Sequence, residues 1–218
     1  MAIVNYAPPM RPYLNIVFKD EHLLVLNKPS GLLTVPGKAL EHKDSLELRV
    51  QRVYPTAKIV HRLDMATSGL LVMALDKDTH RQLSKQFELR QTRKTYIARV
   101  YGEVSGERGS VDLPLICDWP NRPKQMVCQQ RGKPSLTHWR VLERNDNSTR
   151  MELTPVTGRS HQLRVHMLSL GHPILGDRLY AHSDALTMAQ RLQLHAQTLG
   201  FTHPVTELPL ELSAPVPF

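Results

Sequence analysis

Residues 58–75 read KIVHRLDMATSGLLVMAL, and the rest of the chain is organised around this stretch. It begins with a short apolar strand signal at residues 59–60. It ends in a continuous apolar run at residues 70–75, which has the length expected for a buried strand. Between the two lie the basic Arg62 and the acidic Asp64. Charged side chains held in a corner between two core strands have the usual placement of functional residues.

The charged corner carries a resemblance. His-Arg-Leu-Asp at residues 61–64, followed by Thr-Ser-Gly-Leu-Leu-Val at residues 67–72, resembles the signature of the RluA family of pseudouridine synthases. In that family the aspartate of the motif is the catalytic residue, so the resemblance implies that Asp64 is catalytic here. The structural alternative is a turn in which Arg62 and Asp64 form a salt bridge of no catalytic use.

A segment near the N-terminus is similar to the first motif of the same family. Residues 20–37 read DEHLLVLNKPSGLLTVPG. Many relatives carry a small RNA-binding S4 domain before this motif, and the chain has no room for one. We therefore expect a Pro-rich N-terminal arm over residues 1–13 and a single catalytic domain, without an S4 domain, over residues 14–218.

The composition is typical of a globular protein, with 41% hydrophobic and 22% charged residues among 218. The net charge of +8 and the pI of about 9.7 favour a polyanionic partner, nucleic acid first, with simple solubility as the alternative. Cys117 and Cys128 are the only cysteines, so no zinc ribbon or disulfide framework is predicted. Low cysteine use, with no signal peptide and no apolar run of roughly 20 residues, predicts a cytoplasmic protein without membrane contact.

Strand signals outnumber helix signals along the chain. Alternation and turn residues predict strands at residues 16–18, 23–26, 59–60, 70–75, 94–101, 110–116, 124–129, 135–143, 149–156 and 192–201. Helical spacing predicts helices from Asp44 or Ser45 to Val53 and over about 76–91, 161–170 and 184–191. Residues 174–180 are predicted to be loop, and no element is predicted for the Pro-rich tail at 204–218. The predicted class is therefore α+β with a large mixed, mainly antiparallel sheet. The resemblance implies the pseudouridine synthase fold, in which this sheet is bent and helices and loops flank a central cleft.

A single carboxylate in a basic setting limits the chemistry. No acidic residue follows Asp64 before Asp76, so the paired carboxylates of a glycosidase are not apparent near the motif. Ala66 stands where a phosphoaspartate enzyme would have a second aspartate. His161 and His166 lack the His-Glu-x-x-His pattern of a zinc hydrolase, and neither a phosphate-binding loop nor a dinucleotide fingerprint is present. The sequence predicts covalent or base chemistry by one aspartate, with no metal and no cofactor.

The partner of that aspartate is predicted from a further motif. Residues 157–166 read TGRSHQLRVH, which resembles the family pattern Gly-Arg-x-His-Gln-Ile/Leu-Arg-x-His. In the family the second arginine pairs with the catalytic aspartate, so the resemblance implies that Arg164 pairs with Asp64 and favours its ionised form. Arg159 and His161 lie at the start of the predicted helix, where phosphate binding is favoured. The structural alternative makes Arg164 an ordinary surface residue of the helix.

Tyr96 and Leu163 are the residues that the resemblance assigns to the base. Residues 93–96 match the family's Lys-x-Tyr motif, in which the ring packs on the flipped uracil and the hydroxyl takes the C5 proton late in the reaction. Leu163 would pack on the other side of the base. Taken alone, a tyrosine in a strand is more often a core residue. A uridine in folded RNA is stacked and must be flipped out; the resemblance implies that His61 and Arg62 help to displace it and hold the RNA backbone.

The predicted function is RNA uridine isomerisation, in which the C1′–N1 bond breaks, the uracil rotates and C5 bonds to C1′. Asp64 would act as a nucleophile at the sugar or base, or as the base that removes a ribose proton, and both roles stay open. The short chain most resembles dual-specificity members that act on the tRNA anticodon arm and 23S rRNA. Stem-loop RNA is therefore the expected partner of a monomeric enzyme. The competing class is a non-catalytic RNA-binding or ribosome-assembly protein, and a third possibility is hydrolysis of the glycosidic bond.

Overall fold

A computed structural model describes residues 6–218. The described chain divides into two compact units. The terminal unit comprises residues 6–94 and 196–217, and the central unit comprises residues 95–195 with Phe218.

Both units are built mainly from strands. The strands are β1 (Ile16–Lys19), β2 (Leu23–Lys28), β3 (Lys58–Ile59), β4 (Ser68–Ala74), β5 (Arg93–Tyr101), β6 (Arg108–Asp112), β7 (Leu115–Cys117), β8 (Gln125–Val127), β9 (Leu136–Asn145), β10 (Ser148–Pro155), β11 (Leu194–Thr202) and β12 (Pro209–Ser213). The helices are α1 (Leu46–Gln51), α2 (Lys77–Glu88), α3 (Gln162–Ser169) and α4 (Ser183–Thr187), with short 3₁₀ helices at Leu40–His42 and Trp119–Asn121. The predicted α+β class is therefore confirmed.

The core of the terminal unit is built on β4, whose seven residues are all buried. β4 pairs antiparallel with β2, from Ala74 opposite Leu23 to Gly69 opposite Lys28. A strand that is apolar on both faces needs cover on both. On one face, the buried Leu83 of α2 lies in the same hydrophobic cluster as side chains of β4. The apolar run at residues 70–75 thus belongs to the central strand of this unit.

Gly69, the second residue of β4, is required by its backbone and by its neighbour. Its φ is +117°, and a Cβ placed on it would lie 2.3 Å from the backbone oxygen of Ala196 in β11. We expect Gly69→Ala to lower the free energy of unfolding by about 3 kcal/mol or more, because a backbone atom cannot move aside. Urea unfolding measures this loss.

Gly106→Ala is the matched control for that substitution. Gly106 also has a positive φ, +77°, but nothing lies within 4 Å of a Cβ placed on it. The free energy of unfolding of Gly106→Ala should fall only by the cost of a left-handed backbone at a residue with a Cβ, about 1–2 kcal/mol. Equal losses at the two positions would contradict the close approach of β4 and β11 at Gly69.

The central unit contains the antiparallel strand order β5–β10–β9–β6. In its middle, Leu153 of β10 lies opposite Tyr96 of β5 and opposite Trp139 of β9. Strands β7 and β8 form a separate two-stranded sheet. Helix α3 is buried from Gln162 to Met167, including its polar residues. The alternative that made α3 residue Arg164 an ordinary surface residue is therefore wrong.

Several predicted boundaries are wrong, and proline explains two of the differences. The single strand expected at 110–116 is divided into β6 and β7 at Pro114, which has no N–H to donate to a ladder. β12 lies in the tail for which no element was predicted, and Pro209 is its first residue, where a missing N–H is tolerated. Helix α1 ends at Gln51 instead of Val53. Helix α4 ends at Thr187 instead of residue 191. Among residues 6–218, no helix is long and apolar enough to cross a membrane.

The predicted N-terminal arm lies partly outside the described residues, which begin at Tyr6. The Tyr6 hydroxyl donates to the carbonyl oxygen of Asp44 at 2.7 Å and accepts the N–H of Leu33 at 2.9 Å. The buried Arg49 of α1 donates to the carbonyl oxygen of Pro9 at 2.9 Å. These bonds fix residues 6–9 to the terminal unit. The extent of the arm and of a single catalytic domain stay predictions.

Candidate active site

Asp64 lies in the loop between β3 and β4, in the terminal unit, and its side chain is half-buried. The preceding residue, Leu63, is buried, and its N–H and its carbonyl oxygen both bond to the same hydroxyl. Thr34 Oγ1 donates to the Leu63 carbonyl oxygen at 2.7 Å and accepts the Leu63 N–H at 3.2 Å. The backbone that leads into the candidate catalytic residue is therefore fixed.

The backbone that follows Asp64 is fixed as well. The Met65 carbonyl oxygen accepts the Gly31 N–H at 2.8 Å, and the Ala66 carbonyl oxygen accepts the Ser30 hydroxyl at 2.7 Å. The Thr67 N–H donates to the Asp64 carbonyl oxygen at 3.1 Å. Hydrogen-bonded backbone on both sides holds a carboxylate in one place, as catalysis by a positioned group requires.

A buried lysine reinforces the same loop. Lys28, at the end of β2, is fully buried, and its ammonium donates to the carbonyl oxygens of Pro29, Leu32 and Met65 at 2.9, 2.8 and 3.1 Å. Carbonyl acceptors offset part of the cost of removing the charge from water. This role of Lys28 was not predicted from the sequence. The available signal was a lysine two positions after the apolar run at residues 23–26.

His61 is packed into the terminal unit. Its ring stacks on Phe87 of α2, with 4.4 Å between centroids and an interplanar angle of 18°. Its Nε2 accepts the backbone N–H of Val72 at 3.2 Å, which requires that nitrogen to be unprotonated. Burial, and then the nearby positive charge of Lys94, lower the pKa of His61 to about 3. The structure gives His61 a place in the packing, while its predicted contact with RNA stays a prediction.

Acidification is expected to destabilise the protein through His61. Because its pKa in the folded protein is about 3 and its ordinary value is 6.5, the unfolded chain binds more protons between these values. The stability that depends on this group is complete above about pH 6.5 and falls by up to about 1.4 kcal/mol per pH unit on acidification. Urea unfolding at a series of pH values measures the slope.

His61→Gln keeps an acceptor for the Val72 N–H but does not titrate, so it should remove this part of the pH dependence. The exposed His138 provides a matched control, and His138→Gln should keep the wild-type slope. An unchanged slope in His61→Gln would show that the ring is not held neutral.

Arg164 lies in α3, in the central unit, and is 4% exposed. Its guanidinium forms a two-pronged pair with Asp177, through Nε to Oδ2 at 2.7 Å and Nη2 to Oδ1 at 2.6 Å. Asp177 is buried as well, so the pair is shielded from solvent. Residues 174–180 were predicted only as a loop, and this role of Asp177 was not predicted. The available signal was an aspartate shortly after the apolar pair Ile174–Leu175.

The turn before α3 is organised by Gln162, which the motif contains but to which no role was assigned. Its side-chain oxygen accepts from the Thr157 hydroxyl at 2.7 Å and from the Arg159 N–H at 3.0 Å. Its amide nitrogen donates to the Leu136 carbonyl oxygen and the Thr137 hydroxyl, both at 3.0 Å. Four bonds to one buried amide fix the turn that carries Arg159 and leads to His161.

The remaining predicted residues fall in the same two groups. In the terminal unit, Arg62 is exposed in the Asp64 loop. In the central unit, Leu163 is buried in α3 and Tyr96 is half-buried in β5. His161 has a left-handed backbone, with φ +55°, at the N-terminus of α3. Among residues 6–218, no group of three or more His, Cys, Asp or Glu residues is arranged to hold a metal ion.

The comparison with protein families agrees with this arrangement of motifs. The family described as RNA pseudouridylate synthase matches residues 22–169. The chain therefore belongs to the RNA pseudouridylate synthase family and is an isomerase.

Individual relatives are similar over the whole length. The chain is 57% identical over 219 residues to "Dual-specificity RNA pseudouridine synthase RluA" of Salmonella typhimurium and of Escherichia coli, with all of both chains covered. It is 53% identical to the protein of the same name from Vibrio vulnificus, covering 100% of this chain and 89% of that one.

Two human structures share the fold. "Human RNA Pseudouridylate Synthase Domain Containing 1" superposes with a TM-score of 0.79 at 30% identity, covering 94% of this chain and 84% of that one. "Human RNA Pseudouridylate Synthase Domain Containing 4" gives a TM-score of 0.74 at 29% identity, covering 93% and 88%. The predicted pseudouridine synthase fold is therefore confirmed.

Proposed function

We propose that the chain isomerises specific uridines in two kinds of RNA stem-loop, the tRNA anticodon arm and 23S rRNA, with Asp64 as the catalytic residue. The relatives at 57% identity, matched over all of both chains, are named dual-specificity RNA pseudouridine synthases, which supports two RNA substrates. The net charge of +8 suits a polyanionic substrate.

One observation carries the assignment of the site. The segment that matches the family, residues 22–169, contains Asp64, Tyr96 and Arg164 together. The hydrogen bonds that fix the Asp64 loop also support it, because a carboxylate that acts on one atom of a nucleoside must be held still. We propose that Asp64 acts on the sugar or the base of the target uridine without a cofactor.

Arg164, Tyr96 and Leu163 complete the proposed catalytic group. We propose that Arg164 pairs with Asp64 and favours its ionised form, a role that suits a guanidinium already oriented by Asp177. Tyr96 would pack on the flipped uracil and Leu163 on its other side. Tyr96 is half-buried in β5, and a tyrosine in such a position can pack its ring on a base.

Arg62, Arg159, His161 and His61 are the proposed RNA contacts. Arg62 is exposed, which suits a side chain that helps to displace the target uridine and to hold the RNA backbone. Arg159 and His161 lie at the start of α3, where backbone N–H groups favour phosphate. Contacts of this kind weaken as salt is added.

Tritium release tests the proposal. Bonding of C5 to C1′ expels the C5 hydrogen, so RNA made with 5-tritiated uridine should release tritium to water as pseudouridine forms. We expect release from both a tRNA anticodon stem-loop and a 23S rRNA hairpin, with the base retained in the RNA. Release from neither RNA would contradict the proposed function, and free uracil would indicate hydrolysis instead.

We also propose that the enzyme is monomeric and cytoplasmic. The bacterial sources of the relatives and the two free cysteines, Cys117 and Cys128, support a reducing compartment. Sedimentation equilibrium should return the chain mass of 24.8 kDa; twice that mass would contradict a monomer.

A further inference from the structure

Tyr180, in the loop after Asp177, contacts both groups of residues that the central unit contributes to the proposed site. Its ring lies over the Arg164 guanidinium, with 5.0 Å from Cζ to the ring centroid. Its hydroxyl lies 2.6 Å from Nδ1 of His161 and accepts the backbone N–H of Gln125 in β8 at 2.8 Å. One side chain therefore joins the arginine and the histidine of the α3 region to the β7–β8 sheet.

The Arg164 guanidinium is held in two directions. Asp177 binds its edge through two hydrogen bonds, which fixes the direction in which the planar group points. The cation also lies over the Tyr180 ring, and this cation–π contact is a second restraint on its position. Asp177 Oδ1 also accepts the N–H groups of Leu179 and Tyr180, at 2.9 and 3.3 Å. The carboxylate that orients the guanidinium thus also shapes the loop that carries the Tyr180 ring.

The hydroxyl of Tyr180 anchors a part of the fold that needs an anchor. β7 and β8 form a two-stranded sheet, and such a sheet alone is marginally stable. The Gln125 N–H fastens β8 to Tyr180. The loop between the two strands carries Trp119, 66% exposed, with the Arg122 guanidinium 4.7 Å from its ring. An exposed aromatic ring beside a cation is suited to stacking an unpaired base.

We infer that Tyr180 is a positioning residue for uridine isomerisation: its ring orients Arg164, and its hydroxyl holds His161 and β8 where they meet RNA. This inference rests on the proposed function. It makes Tyr180 the residue that links the proposed RNA contacts to the orientation of Arg164. The ring and the hydroxyl have separate tasks, so substitutions that remove them separately should have different kinetic effects.

Two substitutions separate the tasks. Tyr180→Phe keeps the ring, so kcat should stay within about threefold of wild type, while the lost hydroxyl contacts should raise KM for the stem-loop about fivefold. Tyr180→Leu also removes the ring, and kcat should fall about 10- to 100-fold because Arg164 loses its orientation. A purely structural residue would lower the fraction of folded protein in both variants without this division between KM and kcat.

Tyr101→Leu is the matched control, because Tyr101 is a half-buried tyrosine of the same unit whose ring lies against the edge of His182 and not in the proposed site. Its kinetics should equal those of wild type. If Tyr180→Leu keeps kcat within about twofold of wild type, or Tyr180→Phe loses as much kcat as Tyr180→Leu, the inference is overturned. An inactive wild type would overturn the proposed function itself, so the two failures are distinguishable.

Discussion

Replacement of Asp64 by asparagine is expected to abolish isomerisation while the fold and RNA binding are kept. The amide has the shape of the carboxylate but neither its charge nor its basicity, so it serves neither as nucleophile nor as base. We expect kcat for tritium release to fall at least about 10³-fold. Affinity for the stem-loop, measured by filter retention, should stay within about threefold, because phosphate contacts supply much of it.

Asp78→Asn is the control for this substitution. Asp78 lies in α2 of the same unit, its side chain is 82% exposed, and it pairs with the exposed Arg81. Loss of an exposed pair costs little, so stability and kcat should stay at wild-type values. Residual activity of Asp64→Asn above about a tenth of wild type would show that another group does the chemistry.

The second large effect is expected at Asp177. Asp177→Ala removes the carboxylate that binds the buried Arg164 guanidinium, and breaking a buried ion pair costs about 3–5 kcal/mol. The same change removes the acceptor for the Leu179 and Tyr180 N–H groups. We expect the free energy of unfolding to fall by this amount and kcat to fall about tenfold or more in the folded fraction. Urea unfolding and tritium release below the unfolding transition measure the two effects.

Asp146→Ala is the matched control, since Asp146 is an exposed aspartate of the central unit. Surface substitutions of this kind change stability by about 0.5 kcal/mol or less. A similarly small change in Asp177→Ala would mean that the Arg164–Asp177 pair adds nothing to the fold. Wild-type kcat in Asp177→Ala would mean that orientation of the guanidinium does not matter for the reaction.

The parts of the protein that depend on neighbouring residues in the chain were predictable from the sequence. The apolar run at 70–75 marks β4 because a strand covered on both faces has no polar alternation. Asp76 before a polar segment predicts α2, and its side chain does accept the Thr79 N–H at the start of that helix. The resemblance to the family motifs implied the roles of Asp64, Tyr96 and Arg164.

The supports of the site were not predictable because they join residues far apart in the chain. Thr34 bonds to Leu63 across 29 positions, and Tyr180 contacts Gln125 across 55. A threonine in one loop and a tyrosine in another show no pattern until the strands between them are placed. In the sequence, Gly69 is one residue of the family motif, and the position of Ala196 in β11 shows that a close backbone approach requires it. Local sequence thus indicates the proposed reacting groups, and topology shows which residues hold their loops in place.

We propose that the loop holds Asp64 where it meets a uridine removed from the RNA stack. A crystal structure of Asp64→Asn bound to an anticodon stem-loop tests this most directly, because the variant keeps the shape of the site but leaves the uridine unreacted. We predict a uridine outside the stack with its ribose or uracil within about 3.5 Å of the residue 64 side chain. The proposed role of Asp64 would be contradicted if all uridines of the bound stem-loop stay stacked, or if the flipped base lies away from residue 64.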